Sequence, residues 1–207
     1  HILPAEAQNI TTSASYYGFF FDEANNCASE TIEVEIVRNV IPTLTVLNFE
    51  RCGPGTVLLS ANSSDGATIN WYETMDAITP IAFGPGYTTP VLTQTTSYFA
   101  EATETGCVSA REEIIVTVGN QSSTGTATNG ALCNITTNGP TITDLDDRLM
   151  GASAGIWSVK TDISNSVTIN GDNEVSFAGL ISGDYVFTFT TTDFTAPCTA
   201  ETVDITI

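Results

Sequence analysis

The densest set of chemistry-bearing side chains is Asp144, Asp146 and Asp147 in the run TITDLDDRL. Carboxylates alternating along a loop can gather the hard oxygen ligands that Ca²⁺ takes. The spacing is not that of an EF-hand, because no Gly follows where the sharp turn would fall and no Glu closes the loop. Arg148 stands beside the acids and can neutralise one of them, so a solvated acidic turn is the preferred reading and Ca²⁺ the alternative. Asp172-Asn173-Glu174 is a thinner acidic group. It reads better as a β-turn between strands ending at Asn170 and starting at Val175. Apart from Ca²⁺ at the first group, no cofactor is indicated.

Acid–base or nucleophilic catalysis needs partners that this chain lacks. Its single His is His1, so no Ser-His-Asp or Cys-His set can form around an internal imidazole. The five Cys include no CxxC pair and no zinc spacing. No Gly-rich phosphate loop is present. Two of the 24 acidic residues could flank a glycosidic bond, but no motif selects a pair. A chain without an active site is expected.

Five basic residues against 24 acidic ones give 207 residues a formal charge of −19. Nucleic acid and anionic membrane would both repel that surface, so neither is expected as a partner. No run reaches the roughly 18 consecutive apolar residues of a membrane helix, so no membrane insertion is expected. The opening His1-Ile2-Leu3-Pro4 is not a signal-peptide n-region, and a processed chain or a fragment of a longer one is expected. Charged residues are 14%, amid abundant Thr, Ser, Asn and Gly, a balance common in secreted β proteins. The length suits about two domains with useful cores.

The elements that would position these residues are short strands punctuated by Gly and Pro. Thr68 to Tyr72 is an apolar strand carrying Trp71. Gly84-Pro85-Gly86 is a turn, Ser97 to Ala102 an aromatic strand, and Ile114, Val116 and Val118 one face of a further strand. Aromatic strand, Cys-bearing turn and period-two strand recur three times: from Ser15 with Cys27, from Ser97 with Cys107, and from Gly183 with Cys198. Ile32, Val34 and Ile36 follow Cys27 at the offsets at which Val203, Ile205 and Ile207 follow Cys198. Ile114, Val116 and Val118 lie two residues further from Cys107. Equal parity predicts that the same sheet face is buried each time. The Cys27-to-Cys107 period is 80 residues and the Cys107-to-Cys198 period 91, the size of one immunoglobulin-like sandwich.

The front halves match as well. Cys52 leads through Gly-Pro-Gly and the strand Thr56 to Ala61 to Trp71; Cys133 leads through Asn138-Gly139-Pro140 and Thr141 to Leu145 to Trp157. No equivalent Cys or Trp precedes Cys27. The predicted fold is all-β, with tandem immunoglobulin-like β-sandwich domains. Residues 1–38 are the C-terminal half of a repeat, 40–118 one domain and 120–207 another. The Gly/Ser/Thr run Gly119 to Gly130 reads as the more flexible junction. Trp71 and Trp157 read as core residues of the third strand rather than sugar-stacking platforms.

One bridge per complete domain would pair Cys52 with Cys107 and Cys133 with Cys198, leaving Cys27 unpaired. Such bridges imply an oxidising, extracytoplasmic compartment; unpaired buried thiols are the alternative. The pairing meets a topological obstacle, since the start of the second strand and the last hairpin turn lie at opposite ends of a standard sandwich. Phe19, Phe20 and Phe21 are consecutive and cannot all face one core. At least one is expected to point outward, into an interface or onto an edge strand shielded by a loop.

Residues 42–118 carry several fixed points: Cys52-Gly-Pro-Gly-Thr-Val-Leu-Leu-Ser-Ala, Ile69-Asn-Trp-Tyr, Tyr87-Thr-Thr-Pro-Val-Leu, Thr96-Ser-Tyr-Phe-Ala-Glu-Ala and Gly106-Cys-Val-Ser-Ala-Arg. This pattern resembles the immunoglobulin-like repeats of very large surface proteins of gliding, type IX-secreting bacteria, including the gliding-motility adhesins. Cys133, Gly155-Ile-Trp157, Gly183-Asp-Tyr185 and Cys198 are similar to a related repeat. The resemblance implies a non-catalytic structural or adhesive segment of a large secreted cell-surface filament or gliding adhesin. Its expected partners are other repeats of the same protein and surface polysaccharide or another adhesion substrate. A carbohydrate- or protein-binding module and the accessory region of a secreted hydrolase are the alternatives.

Overall fold

The computed structural model describes residues 12–64 and 66–207. The region before residue 40 carries β1 (Ala14–Gly18), β2 (Phe21–Asp22), β3 (Cys27–Ala28) and β4 (Ile32–Ile36). Next come β5 (Leu44–Val46), β6 (Phe49–Cys52), β7 (Leu58–Ser63), β8 (Thr68–Tyr72) and β9 (Ala82–Phe83). They are followed by β10 (Gly86–Thr88), β11 (Thr96–Glu104), β12 (Cys107–Val108) and β13 (Glu112–Gly119). The remainder holds β14 (Thr126–Ala127), β15 (Ile142–Asp144), β16 (Leu149–Met150), β17 (Gly155–Thr161), β18 (Glu174–Ser176), β19 (Val186–Thr191) and β20 (Thr202–Thr206). Beyond these strands, a single 3₁₀ turn, Asp146–Arg148, is the helical element among the described residues. None of the helices among them is long and apolar enough to cross a membrane.

The chain divides into two compact units. The first comprises His1–Val46, Ser60–Pro85 and Phe99–Glu113; the second comprises Leu47–Leu59, Gly86–Tyr98 and Ile114–Ile207. In the first unit β8 pairs antiparallel with β11, setting Trp71 opposite Ala100 and Ile69 opposite Ala102. Those four side chains are buried. Alternation along each strand sends one set inward, and Ala on β11 leaves the room that the indole of Trp71 fills. The Trp71 Nε1–H donates to the Gly84 carbonyl at 2.8 Å, so the buried indole keeps a partner.

The first unit also contains the β1–β4 pair, Ala14 opposite Ile36 through Gly18 opposite Ile32. Here the parity expectation fails. Ile32 is 63% exposed and Val34 54%, whereas Ile114, Val116, Ile205 and Ile207 are buried. The pair forms a sheet of only two strands, so the apolar face that alternation creates has no layer to close against. Phe19, Phe20 and Phe21 are all exposed, and among the described residues no loop shields them as an edge strand.

In the second unit β17–β19–β20 form one sheet and β15–β18 another. Between them lie Leu145, Trp157, Val175, Phe177, Tyr185, Phe187, Phe189, Ile205 and Ile207 in one apolar cluster. Phe187 and Phe189 point inward from alternate positions of β19, opposite Ile205 and Val203 of β20. Trp157 meets Phe189 with ring centroids 5.2 Å apart. β6 joins the same unit in parallel register with β13, from Phe49 opposite Val116 to Cys52 opposite Gly119.

Candidate functional site

The feature that the chain's chemistry assembles is a covalent junction. Cys52, at the end of β6, is bonded to Cys198, 146 residues later, with Cα atoms 4.7 Å apart. This corrects the expected pairs Cys52 with Cys107 and Cys133 with Cys198. Cys27, Cys107 and Cys133 are free thiols. The cause is positional. Cys107 opens β12, which pairs back onto the far end of β11 (Glu104 opposite Cys107). The register of β6 instead carries Cys52 to Gly119 at the end of β13. Cys133 donates to the Asn138 carbonyl at 3.3 Å within its own turn.

Local chemistry fixes both arms of the junction. After Cys52, Arg51 folds over the Gly-Pro-Gly turn, donating to the carbonyls of Gly53, Pro54 and Thr56 at 3.1, 2.8 and 3.1 Å. A Cβ on Gly55 would stand 1.9 Å from Arg51 Nη2, so the guanidinium occupies space that only Gly leaves. The Gly53 N–H donates to the Gly119 carbonyl at 3.0 Å. On the other arm, the Asn120 N–H donates to Thr195 Oγ1 at 2.7 Å and the Thr195 N–H to the Asn120 carbonyl at 3.1 Å. A Cβ on Gly119 would stand 2.3 Å from the Thr195 carbonyl oxygen; that close approach brings the Cys198 loop to β13.

Hydrogen bonds continue beyond the sulfurs. Ser122 and Thr191 hydroxyls, both buried, share a 2.6 Å hydrogen bond. Thr191 Oγ1 also accepts from the Glu201 N–H, and Gln121 Nε2 donates to the Glu201 carboxylate at 3.0 Å. Thr126–Ala127 then pairs with Leu149–Met150. The run from Gly119 is thus hydrogen-bonded into the second unit rather than a free linker. Composition suggested flexibility because Ser and Thr carry no apolar signal, yet their hydroxyls are what bind it.

The acidic group is spent on structure. Asp144 Oδ1 accepts from the Asp146 N–H at 2.8 Å. Asp146 Oδ1 accepts from Trp157 Nε1 at 2.8 Å, and its Oδ2 accepts from Asn173 Nδ2 at 3.0 Å. Among the described residues no three His, Cys, Asp or Glu side chains are placed to hold a metal ion. Asp144, Asp146 and Asp147, the candidate Ca²⁺ ligands, are not among any such group. Arg148 turns its guanidinium to Thr143 Oγ1. Asp172-Asn173-Glu174 closes a turn in which Asn173 takes a φ of 59° and its N–H donates to the Asn170 carbonyl. Trp71 is fully buried and Trp157 nearly so. His1 lies outside the described residues.

Sequence reasoning missed a second polar cluster, around Arg111. Its guanidinium lies 3.6 Å from the centre of the Tyr72 ring and donates twice to Glu101 Oε2, at 3.1 and 3.0 Å. Nη1 adds the carbonyls of Met75 and Ala77 at 2.6 and 3.0 Å, and the Tyr72 hydroxyl donates to Glu101 Oε1. Burial, and then the Glu101 carboxylate, raise the Tyr72 pKa above its ordinary 10.0. The fixed forks of Arg make this a brace for the segment 75–77. The available signal was Arg111 itself, one of five basic residues.

Short strands, alternating burial and indoles packed in the core define an all-β chain of immunoglobulin-like class. Residues 40–119 match the family described as Ig-like domain, CHU_C associated. No curated protein matches the sequence. Among solved structures, a three-immunoglobulin fragment of titin, in an E-to-A mutated variant, is similar at 12% identity and TM-score 0.42. That likeness covers 92% of this chain and 81% of the fragment. Sidekick-1 immunoglobulin domains 1–5 are similar at 13% identity and TM-score 0.43, over 94% of this chain and 46% of theirs. The titin domains Z1Z2 in complex with telethonin share 12% identity at TM-score 0.38, over 82% and 96%.

Proposed function

We propose that this chain is a non-catalytic structural or adhesive segment of a large secreted cell-surface filament or gliding adhesin, working outside the cell beside further copies of its own repeats. Repetition of one hairpin supports this reading most. In the first copy the Ser29 N–H donates to the Phe20 carbonyl, the Phe20 N–H donates to Ser29 Oγ, and Ser29 Oγ donates to the Glu30 carbonyl. In the second, Ser109 makes the same three bonds with Ala102 and Ala110. Each Ser follows its Cys by two residues, and Asp22 faces Cys27 as Glu104 faces Cys107. On this reading residues 1–38 are the C-terminal half of a repeat, and 40–118 and 120–207 are successive domains. The disulfide favours an oxidising compartment. The test is protease shaving of intact producing cells followed by detection with an antibody to residues 40–119. Loss of signal without lysis is expected; a signal that survives shaving and needs lysis to be reached rejects the surface location.

A second reading, binding of carbohydrate or protein, is favoured by the exposure of Tyr17, Phe19, Phe20 and Phe21 on one hairpin. Aromatic rings in solvent are unusual stacking surfaces. Glycan-array binding lost on Phe20→Ser would support it, and no binding would count against it.

A further inference from the structure

We infer that the Cys52–Cys198 bond is a load-path shortcut: tension applied to the two ends of this chain passes through the sulfurs and bypasses everything between them. The reasoning is topological. A covalent link between positions 52 and 198 closes a loop 146 residues apart in sequence, and force enters and leaves that loop at the same point. β7 to β19 lie inside it. β1 to β6 and β20 lie outside it.

The core is distributed accordingly. Among the buried apolar side chains of the described residues, all but Pro42, Cys198 itself, Ile205 and Ile207 fall between the two cysteines. Trp71, Ile114, Trp157 and Phe187 therefore cannot be drawn out along the pulling axis while the bond holds. The strands on the path next to the bond are β6 and β20, each held along an inner strand: β6 on β13 and β20 on β19. The bonds of Asn120, Gln121 and Ser122 to the 191–201 segment, with that of the Gly53 N–H to the Gly119 carbonyl, tie the middle of the loop to the chain on either side of the sulfurs. Reduction releases the hidden length. A phosphine such as TCEP gives two electrons to the S–S bond and becomes its oxide, and water supplies the oxygen and the two thiol protons.

The inference stands apart from the filament reading, since it concerns covalent connectivity alone. The test is single-molecule extension of the full chain with handles at its two ends. Without reductant, only roughly 60 residues outside the loop should extend, about 200 Å of contour. With TCEP, or in the double variant C52S/C198S without it, about 500 Å more should appear. C107S should behave as the parent chain does. Extension of the unreduced parent to full contour overturns the inference. So does a hidden length of about 190 Å that C107S abolishes, which would place the bond between Cys52 and Cys107.

Discussion

The indole N–H of Trp157 donates to Asp146 Oδ1 at 2.8 Å, while the other oxygen of that carboxylate accepts from Asn173 Nδ2 at 3.0 Å. Asp146 thereby connects three pieces of the second unit: its own 3₁₀ turn, β17, and the turn preceding β18. A side chain at the surface gives a nearly buried Trp its one necessary partner. The carboxylate acts as a fixed acceptor, which is a different use of charge from collecting a cation.

Asp146→Ala should therefore cost about 1–2 kcal/mol of stability, because it leaves a buried donor without its acceptor. Asp146→Asn keeps an oxygen in place and should cost less. Denaturant melts followed by Trp fluorescence read both changes. Millimolar Ca²⁺ should leave the parent's midpoint where it is, and a Ca²⁺-dependent rise abolished by Asp146→Ala would restore the metal reading.

Denatured, unreduced chain should show three reactive thiols, from Cys27, Cys107 and Cys133. Reduction should cost about 5 kcal/mol in the chain-entropy treatment of a loop this long. Thiol labelling with intact mass, and melts with and without reductant, measure the two quantities. One reactive thiol rather than three would return the one-bridge-per-domain pairing.

How much of this was legible in the sequence follows from the range of each signal. Period-two alternation and Trp placement are local, and β8 runs from Thr68 to Tyr72, as read from the residues alone. The hairpin repeat was also local, because Cys, Ser and the strand parity all lie within a few residues. Disulfide partners depend on which strand ends meet, and Cys52 meets Cys198 only because β6 runs parallel to β13 and Gly119 admits the 195–196 backbone. No spacing encodes that. The burial expected for Ile32 and Val34 failed for a related reason: alternation names a face but does not supply the layer that covers it.

Gly119 carries that close approach, so it gives a sharp test. A Cβ there would sit 2.3 Å from the Thr195 carbonyl oxygen and 2.8 Å from that of Ala196. Both are backbone atoms, which cannot rotate away as a side-chain tip can. Gly119→Ala should cost about 1–3 kcal/mol through overpacking and slow formation of the Cys52–Cys198 bond during oxidative refolding. Quantifying the bridged peptide over time after dilution from denaturant reads this effect. A variant that bridges at the parent rate and melts at the parent midpoint would show that the loop seats itself without this contact.

Tyr72 provides the pH test. The phenol is buried and its hydroxyl donates to Glu101, so ionising it would strand a poorly hydrated charge and set it against that carboxylate. Arg111 over the ring works in the opposite sense and only partly offsets this, so the folded pKa stands above the ordinary 10.0. In the unfolded chain the same phenol ionises at its ordinary value. Between those two values the unfolded state releases a proton that the folded state keeps. The stability contributed by neutral Tyr72 is therefore complete below pH 10 and declines as the pH rises toward the folded pKa. Phenolate absorbance of the parent minus that of Tyr72→Phe should show a component titrating later than a free tyrosine. Glu101→Gln removes the charge while keeping an acceptor, and should move that component back toward the ordinary value. A difference curve centred at the ordinary value in the parent would mean that the Tyr72 hydroxyl is hydrated and not held by Glu101.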